Sequence, residues 1–265
     1  MIFRSRSRRV DLLLSLTSRD IKMKYRESVI GAAWSILVPL VLLGIYTVIF
    51  STIFQAHWGH TKIERKTDYA VILFIGLITY GIFAEAITRA PAVILQHPNF
   101  VKKVVFPLEV LPVMVVLSSL YNAGMASIAL LGFLFFSSFG VHLGAIAVLP
   151  VLLVPYIAFV TGLSLIFASL GVFLRDFDQF ASLIARVMQY LSPILYPSLI
   201  FPEPYRSIMR ANPLATYVEQ IRALVVFGEF PDWTALGIAS LWSVATLAIG
   251  WYWFAKTRKG FADVI

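Results

Sequence analysis

Long apolar runs dominate the chain, and short polar or basic stretches separate them. A helix that crosses a bilayer needs about 20 mostly apolar residues. No run alternates apolar and polar residues as the strands of a membrane barrel do. The pattern therefore predicts an all-α integral membrane fold, with the whole chain forming a single transmembrane domain. We expect six transmembrane helices, at residues 33–54, 69–88, 110–139, 145–174, 180–201 and 234–255.

The composition agrees with a membrane location. Hydrophobic residues make up 59% of the chain and charged residues 14%, and the mean hydropathy is +0.84, whereas soluble domains are about 45–50% apolar and about 25% charged. These values exclude a water-soluble globular protein and a disordered chain. The chain has no cysteine, which excludes thiolate metal sites and cysteine nucleophiles.

The basic residues are distributed unevenly along the chain. Sixteen of the 22 Lys and Arg residues fall in the segments that would share one side of the membrane, and eight of these lie in the first thirty residues. Cytoplasmic loops carry such an excess, so we expect both termini in the cytoplasm. The net charge of +8 is thereby explained without a nucleic-acid partner. No short apolar core with a cleavage site follows the charged start, so no cleaved signal peptide is expected.

Residues 10–31 predict an amphipathic helix that lies in the membrane interface, with its cations toward anionic lipid. Asp20 and Lys24 are four residues apart and can pair. Two interpretations are open, a simple basic anchor and a docking collar for a cytoplasmic partner. The apolar stripe comprises Val10, Leu14, Ile21, Tyr25 and Val29. The residues that mark the interfacial helix are Arg19, Lys22, Tyr25 and Arg26.

Three prolines divide the connection at residues 96–112. Proline limits helix continuation, and a helix of about two turns fits between Pro98 and Pro107. A short helix fixed at both ends to membrane helices can transmit a push between them. The alternative is an ordinary basic loop. The side chains expected outside the bilayer are Phe100, Val101, Lys102 and Lys103.

Asp176 and Asp178 form an Asp-Phe-Asp sequence after the fourth predicted span. Such a pattern holds a divalent metal in some sugar-nucleotide transferases, but only about a dozen residues separate two apolar spans here, which leaves no room for a nucleotide-binding domain. We therefore expect the two carboxylates to cap the following helix, and no metal site.

Prolines are dense between residues 190 and 232. The helix should break at residues 192–197, and short helices should follow at 205–210 and 215–226. Irregular backbone at membrane depth is tolerated where protein buries it or where it lines a cavity, so a re-entrant gate built from residues 202–232 is our hypothesis, and a surface hairpin is the alternative. The residues proposed for the gate are Pro193, Tyr196, Pro197, Asn212 and Pro213.

Tyr46, Phe50 and Phe54 follow one another at helical spacing on the first predicted span. Aromatic faces pack against the apolar faces of sugar rings, so this stripe could line a path for sugars. Ordinary helix packing is the alternative.

Ionisable residues are scarce within the predicted spans. Glu85 and Arg89 are four apart and can pair, while the centres of the other five spans have no Asp, Glu, Lys or Arg. Proton-coupled transport and ion conduction usually require such groups. The chain also has no phosphate-binding G-x-x-x-x-G-K-[ST] motif, so it has no site of its own for nucleotide hydrolysis, and energy must come from elsewhere.

Several segments together resemble a known family. Residues 19–34, read as RDIKMKYRESVIGAAW and followed by Pro39-Leu40, resemble the N-terminal signature of type-2 ABC exporter permeases for polysaccharides. The runs at 99–112, 173–176, 192–196 and 212–213 are similar to later landmarks of the family, in the same order. The resemblance covers nearly the whole chain. It is strongest to the permeases of lipopolysaccharide O-antigen export (the Wzm type), with capsule and teichoic-acid permeases as near relatives.

The resemblance implies a homodimer in the bacterial inner membrane, bound to two copies of a cytoplasmic ABC ATPase subunit. ATP and magnesium would bind to that subunit, and this chain would hold no cofactor and no catalytic residue. The substrate would be an undecaprenyl-type lipid-linked polysaccharide that passes between the two permeases. Tyr46, Phe50 and Phe54 would line the channel. The coupling helix, within residues 98–107, would seat Asn99, Phe100, Val101, Lys102 and Lys103 in a cleft of the ATPase.

Two other functions remain open from the sequence. One is an ATP-driven exporter of small hydrophobic compounds, which shares the same build. The other is a multispanning glycosyl or acyl transferase that would use Asp176 and Asp178. The roles of His57 and His60, in the connection after the first span, follow from no pattern in the sequence.

Overall fold

A computed structural model describes residues 2–26, 28–49, 58, 66–102 and 106–265. These residues form helices joined by short turns, and this part of the chain contains no β-strand. A π-helical turn, Ala223–Phe227, directly follows α9. The α-helices are α1 (Ile2–Tyr25), α2 (Trp34–Thr47), α3 (Lys66–Val93), α4 (Pro98–Val101), α5 (Val110–Phe136), α6 (Leu143–Phe173), α7 (Phe177–Leu191), α8 (Glu203–Ala211), α9 (Pro213–Arg222), α10 (Trp233–Thr257) and α11 (Phe261–Val264).

The all-helical prediction is confirmed, but the count of six spans is not. In the described part of the chain, four helices are long and apolar enough to cross a membrane: α3, α5, α6 and α10. The predicted spans at 33–54 and 180–201 correspond to α2 and α7, which have 14 and 15 residues. Residues 50–54 of the first span lie outside the described residues.

The helix of the predicted 180–201 span ends early for a physical reason. Helix α7 stops at Leu191, and Ser192 is extended, with φ −117° and ψ 148°. The ring of a proline disfavours helical backbone at the residue before it, and Pro193 follows. The chain then remains irregular to Pro197, and the short 3₁₀ turn Ser198–Ile200 follows.

Helix α3 is the central element, since it contacts α2, α5, α6, α7 and α9. Helices α3, α6 and α10 run in one direction and α5 runs in the other. We call the end of the bundle where α3 finishes and α5 starts the α4 end. The opposite end, where α9 lies, is called the α9 end.

Helices α6 and α10 pack directly backbone to backbone. A Cβ atom at Gly250 would overlap the carbonyl of Gly162, and one at Gly162 would overlap the backbone of Thr246. Near the α4 end, the hydroxyls of Ser169 and Thr257 are 2.7 Å apart. Small residues permit this close approach, which is the usual means of helix association in membranes.

Helix α1 differs from the predicted interfacial helix 10–31. It begins at Ile2 and ends at Tyr25, and it packs along the first turns of α5. Val10 and Leu14, expected on the apolar side, are exposed, while Thr17 is buried and Leu13 and Leu16 contact the core. The stripe toward the bundle is therefore displaced from the predicted one. The contact with α5 decides which side of α1 is buried within the protein.

Candidate functional site

Helix α1 is joined to the bundle by a charged contact that the sequence did not predict. One Arg89 nitrogen donates to both carboxylate oxygens of Asp20, at 2.7 and 2.8 Å. The Ser118 hydroxyl donates to the same carboxylate at 2.7 Å. Both charged side chains are partly buried, and charge-assisted hydrogen bonds of this kind are shorter and stronger than neutral ones. Asp20 thus ties α1 to α3 and α5 together.

A second set of contacts continues this connection one turn further along α1. Lys24 lies 2.9 Å from the Glu85 carboxylate. The Asn122 amide donates to the other Glu85 oxygen at 2.7 Å, and the Tyr25 hydroxyl donates to Asn122 at 3.0 Å. Each member of this set is therefore bonded to a residue of another helix. We call the whole group the α1 network: Asp20, Lys24, Tyr25, Glu85, Arg89, Ser118 and Asn122.

The structure confirms one predicted pair and corrects another. Arg89 lies 3.2 Å from Glu85, as expected for residues four apart on one helix. The pair that the spacing of Asp20 and Lys24 allows does not form, because each of these residues pairs across helices instead. A pattern within α1 could not have revealed partners that come from α3 and α5. The other expected surface cations, Arg19, Lys22 and Arg26, are exposed.

In the described residues, the predicted coupling segment forms a helical turn at Pro98–Val101, and residues 103–105, where the expected second turn would continue, lie outside them. Pro98 starts the helix, where its missing N–H is no loss. The ring of Phe100 stacks between His97 and Phe106, with centroid distances of 5.7 and 4.3 Å. Aromatic stacking on both sides thus fixes the turn to the chain before and after it.

The turn presents its side chains in two directions. Asn99 and Lys102 are exposed, while Phe100 and Val101 are half-buried against the core. The segment therefore has a polar outer side and an apolar inner side that is anchored at the α4 end. Lys103, the last residue of the predicted coupling site, lies outside the described residues.

A cavity of about 310 Å³ lies between α2, α3, α5 and α7. Tyr46 lies in its wall, and the Gln189 amide donates to the Tyr46 hydroxyl at 3.4 Å. Tyr80 is also in the wall and donates to the carbonyl of Ala185 at 2.7 Å. Phe50 and Phe54, the other two members of the predicted aromatic stripe, lie outside the described residues, as do His57 and His60. The polar groups of the wall are Ser35, Tyr46, Tyr80, Glu85, Ser119, Asn122 and Gln189.

The cavity shares two residues with the α1 network. Glu85 and Asn122 belong to both. A displacement of α1 would therefore move these two residues of the cavity wall, because they are hydrogen-bonded to α1 directly. A second cavity of about 390 Å³, between α3, α5, α6 and α9, is lined mainly by aliphatic residues, with Thr79, Ser127 and His142 as the polar members of its wall. The wall of the first cavity is mostly apolar but also carries aromatic rings, hydroxyls and amides, a mixture that is common in ligand-binding pockets.

The Asp-Phe-Asp sequence lies at the start of α7. Asp176 occupies the N-cap position without a side-chain cap hydrogen bond, and Asp178 is in the first turn, where it accepts from the Gln179 N–H at 2.8 Å. The location at the helix start matches the prediction, and the expected capping bond of Asp176 does not form. Among the described residues, no three His, Asp or Glu side chains are grouped as metal ligands.

At the α9 end, the broken segment after α7 is joined to the start of α9. The Asn212 side chain accepts from the Leu214 N–H at 3.0 Å and donates to the Ser192 hydroxyl at 3.0 Å. One residue therefore caps α9 and holds the first residue of the break. The predicted short helices are present with longer bounds, as α8 and as α9 with its π-helical turn.

The aromatic residue of the break is also held locally. The Tyr196 hydroxyl donates to the carbonyl of Tyr190, and its ring lies 4.9 Å from that of Phe201. The structure therefore brings Pro193, Asn212 and Pro213 together in one region, with Tyr196 and Pro197 at the edge of the same segment.

Arg222 is the functional candidate that the sequence reasoning missed. The charge pattern along the chain places it among the cations of the loops, but it is only 3% exposed. Its guanidinium donates to the carbonyls of Ile72, Pro193 and Ile194, at 3.1, 2.8 and 3.1 Å. The signal that could have identified it is its sequence position, since the cation is followed directly by the apolar run Ala223–Phe227.

Two further features surround this guanidinium. It lies 4.4 Å from the centre of the Trp58 ring, a cation–π distance. A Cβ atom at Gly76 would overlap one guanidinium nitrogen, so the glycine leaves the space that Arg222 occupies. Arg222 takes part in none of the ion pairs found within the described residues.

Comparison with known proteins agrees with the resemblance seen in the sequence. The family model of the ABC-2 type transporter matches residues 11–226. The chain is 29% identical over 259 residues to the O-antigen export system permease protein RfbA of Klebsiella pneumoniae, covering 96% of this chain and 95% of that protein. A protein of the same name from Myxococcus xanthus is 26% identical over 264 residues, again covering 96% and 95%. The polysialic acid transport protein KpsM of Escherichia coli is 24% identical over 243 residues, covering 89% of each chain.

The family match at residues 11–226 includes most of α1, the α1 network, the cavity wall, the break at residues 192–197, and helices α8 and α9. On this match, the chain belongs to the ABC-2 type transporter family of membrane proteins.

Proposed function

We propose that this chain is the membrane permease subunit of an ATP-driven exporter of lipid-linked polysaccharide, of the O-antigen type. The observation that carries the proposal is the match to O-antigen export permeases, which covers 96% of this chain and 95% of the relative. The weaker match to a polysialic acid transport protein extends the same substrate class to capsule glycans.

The side chains of the cavity between α2, α3, α5 and α7 support a glycan as the transported group. Its wall offers the rings and hydroxyls of Tyr46 and Tyr80 and the amides of Asn122 and Gln189. These groups hydrogen-bond sugar hydroxyls, and the rings pack against the apolar faces of sugars. The one carboxylate of the wall, Glu85, is neutralised by Lys24 and Arg89. A cavity wall without net charge that binds sugars weakly lets a sugar polymer move without becoming trapped.

Energy would enter at the α4 end. In this proposal, two copies of the chain form a dimer in the bacterial inner membrane, with both termini in the cytoplasm, and two copies of a cytoplasmic ABC ATPase subunit bind ATP and magnesium. The segment that contains Asn99 and Lys102 would seat in a cleft of the ATPase. Its position directly after α3 supports this role, since α3 also carries Glu85 and Tyr80 of the cavity.

Helix α1 would follow the same movement, because the α1 network joins it to α3 and α5. At the α9 end, the break at residues 192–197 and the helices α8 and α9 would form the gate on the periplasmic side. The undecaprenyl-type lipid of the substrate would remain in the bilayer while the glycan passes between the two permeases.

A genetic test distinguishes this proposal from the small-compound exporter. Deletion of the gene should remove long-chain surface glycan and leave lipid-linked polymer inside the cell, and the intact gene should restore export. Normal surface glycan together with increased sensitivity to hydrophobic compounds would contradict the proposal. Replacing Asp176 and Asp178 by Asn should leave export intact, whereas loss of a metal-dependent transferase activity in that variant would favour the enzyme.

A further inference from the structure

We infer that Arg222 is a positioning residue of the α9-end gate, and that its guanidinium holds the broken segment closed against α3. This inference rests on the proposed function for the meaning of the gate. The contacts themselves are independent of any substrate. They join three parts of the chain that are far apart in sequence: α9, α3 and the break after α7.

Two of the three hydrogen bonds of Arg222 reach carbonyls that lie outside any regular helix. Pro193 and Ile194 lie in the irregular segment after Leu191, and their carbonyls accept from two different guanidinium nitrogens. Buried backbone carbonyls need partners, and the planar fork of arginine reaches both without rearrangement. The third nitrogen bonds the carbonyl of Ile72 on α3. A single side chain thus fixes the break to the central helix.

The charge of Arg222 is held by backbone and ring partners. Within the described residues, Arg222 is held by three carbonyls and by the Trp58 ring rather than by an ion pair. Opening of the gate must therefore break hydrogen bonds from a buried cation, which are stronger than neutral ones. The following π-helical turn ends at Gly228, whose φ of +67° is left-handed. This irregular backbone beside Arg222 gives α9 a place to bend as the segment moves.

Gly76 on α3 leaves the space that the Arg222 guanidinium needs to reach its carbonyl partners. An alanine there would overlap the Arg222 guanidinium and displace it from the carbonyls. Gly81 lies further along the same helix, and a Cβ atom added there would meet no other atom within 4 Å. The two glycines therefore provide a matched pair. Gly76→Ala should open the gate as Arg222 variants do, and Gly81→Ala should not.

The absence of cysteine from the chain permits a direct measurement of gate opening. Ser192 is fully buried at the start of the break, so Ser192→Cys places one thiol under the closed gate. Because this change also removes the hydroxyl that accepts from Asn212, the Ser192→Cys protein is the parent with which every further variant is compared. The full chain is purified into lipid nanodiscs, and the rate of modification by a water-soluble maleimide is measured. A second reporter, Ser164→Cys, places a thiol in the buried core of α6, away from the gate.

With Arg222→Met or Gly76→Ala, the thiol at position 192 should react about tenfold faster or more, the factor that corresponds to about 1.4 kcal/mol. Arg222→Lys, which keeps the charge but loses the planar guanidinium, should give an intermediate rate of thiol modification. Gly81→Ala and the thiol at position 164 should keep the slow rate of the parent protein.

Equal rates at position 192 with and without the Arg222 contacts would overturn the inference. A parallel rise at position 164 would also overturn it, because it would mean general loosening of the fold. If Arg222→Met fails to fold, Gly76→Ala and Arg222→Lys still decide the question. The labelling needs neither ATP nor glycan, so a failure of the proposed function would appear in the export assay and not here.

Discussion

The contact between Asp20 and Arg89 gives the sharpest prediction about how α1 is held. The perturbation is a double-mutant cycle that combines Asp20→Asn and Arg89→Gln. Each variant keeps a polar side chain and removes one charge. The quantity of interest is the coupling energy. It is the change in the free energy of unfolding of the double variant minus the sum of the changes in the two single variants.

The structure sets the expected size of this coupling. The carboxylate accepts two short bonds from one Arg89 nitrogen, at 2.7 and 2.8 Å, and the Asp20 and Arg89 side chains are 17% and 30% exposed. Hydrogen bonds to charged groups contribute roughly 1.5–3 kcal/mol, and exposed ion pairs about 0.2–1 kcal/mol. Because this pair is mostly but not fully covered, we expect a coupling of about 1.5 kcal/mol, near the lower bound for charged hydrogen bonds. The nearby Glu85 retains part of the interaction with Arg89 in the Asp20 variant, which also limits the value.

The assay is equilibrium unfolding of the purified chain in mixed micelles, followed by helix content. Glu203 and Arg206 on α8 form the control pair, with a distance of 3.0 Å and exposures of 65% and 23%. Their coupling should be about 0.5 kcal/mol or less. A coupling near zero for Asp20 and Arg89, or one no larger than the control, would refute the reasoning that α1 is tied to the bundle by charge.

Three further predictions concern packing, coupling and the cavity. Gly250→Ala should lower the free energy of unfolding by about 1–3 kcal/mol through overpacking against α6, whereas Gly237→Ala, on the open side of α10, should have no such effect in the same assay. Lys102→Glu should weaken binding of the ATPase subunit by about 1 kcal/mol, the value of an exposed charge pair, when the complex is titrated in detergent; unchanged affinity would remove Lys102 from the coupling site. Tyr46→Ala should slow glycan export by the loss of about 1 kcal/mol of aromatic contact while the complex still assembles, and Tyr46→Phe should retain most of the rate. Export at the parental rate in Tyr46→Ala would remove that residue from the path.

The long spans were predictable from the sequence because each one is a local property. A run of about 20 apolar residues has few alternatives to a membrane helix, so α3, α5, α6 and α10 lie close to the predicted bounds. The break after α7 was also predictable, since Pro193 restricts the residue before it. The first predicted span, 33–54, contains α2 (Trp34–Thr47), and its last five residues lie outside the described part of the chain.

The contacts between helices were not predictable from local patterns. Asp20 and Lys24 satisfy the spacing rule for a pair on one helix, yet Arg89 and Glu85 compete for them from α3 and prevail. The side of α1 that is buried depends on α5, which no periodicity within α1 reveals. The same limit explains Arg222, whose three carbonyl partners lie 28, 29 and 150 residues away in sequence.

Reconstituted transport would show whether this chain exports glycan with energy from a separate ATPase subunit. The purified chain is placed in liposomes with or without an ABC ATPase subunit from the same cell, and movement of lipid-linked polysaccharide across the bilayer is followed after addition of ATP. The account predicts movement only when both subunits and hydrolysable ATP are present. Movement by this chain alone, or a complete complex that hydrolyses ATP and moves no glycan, would contradict it.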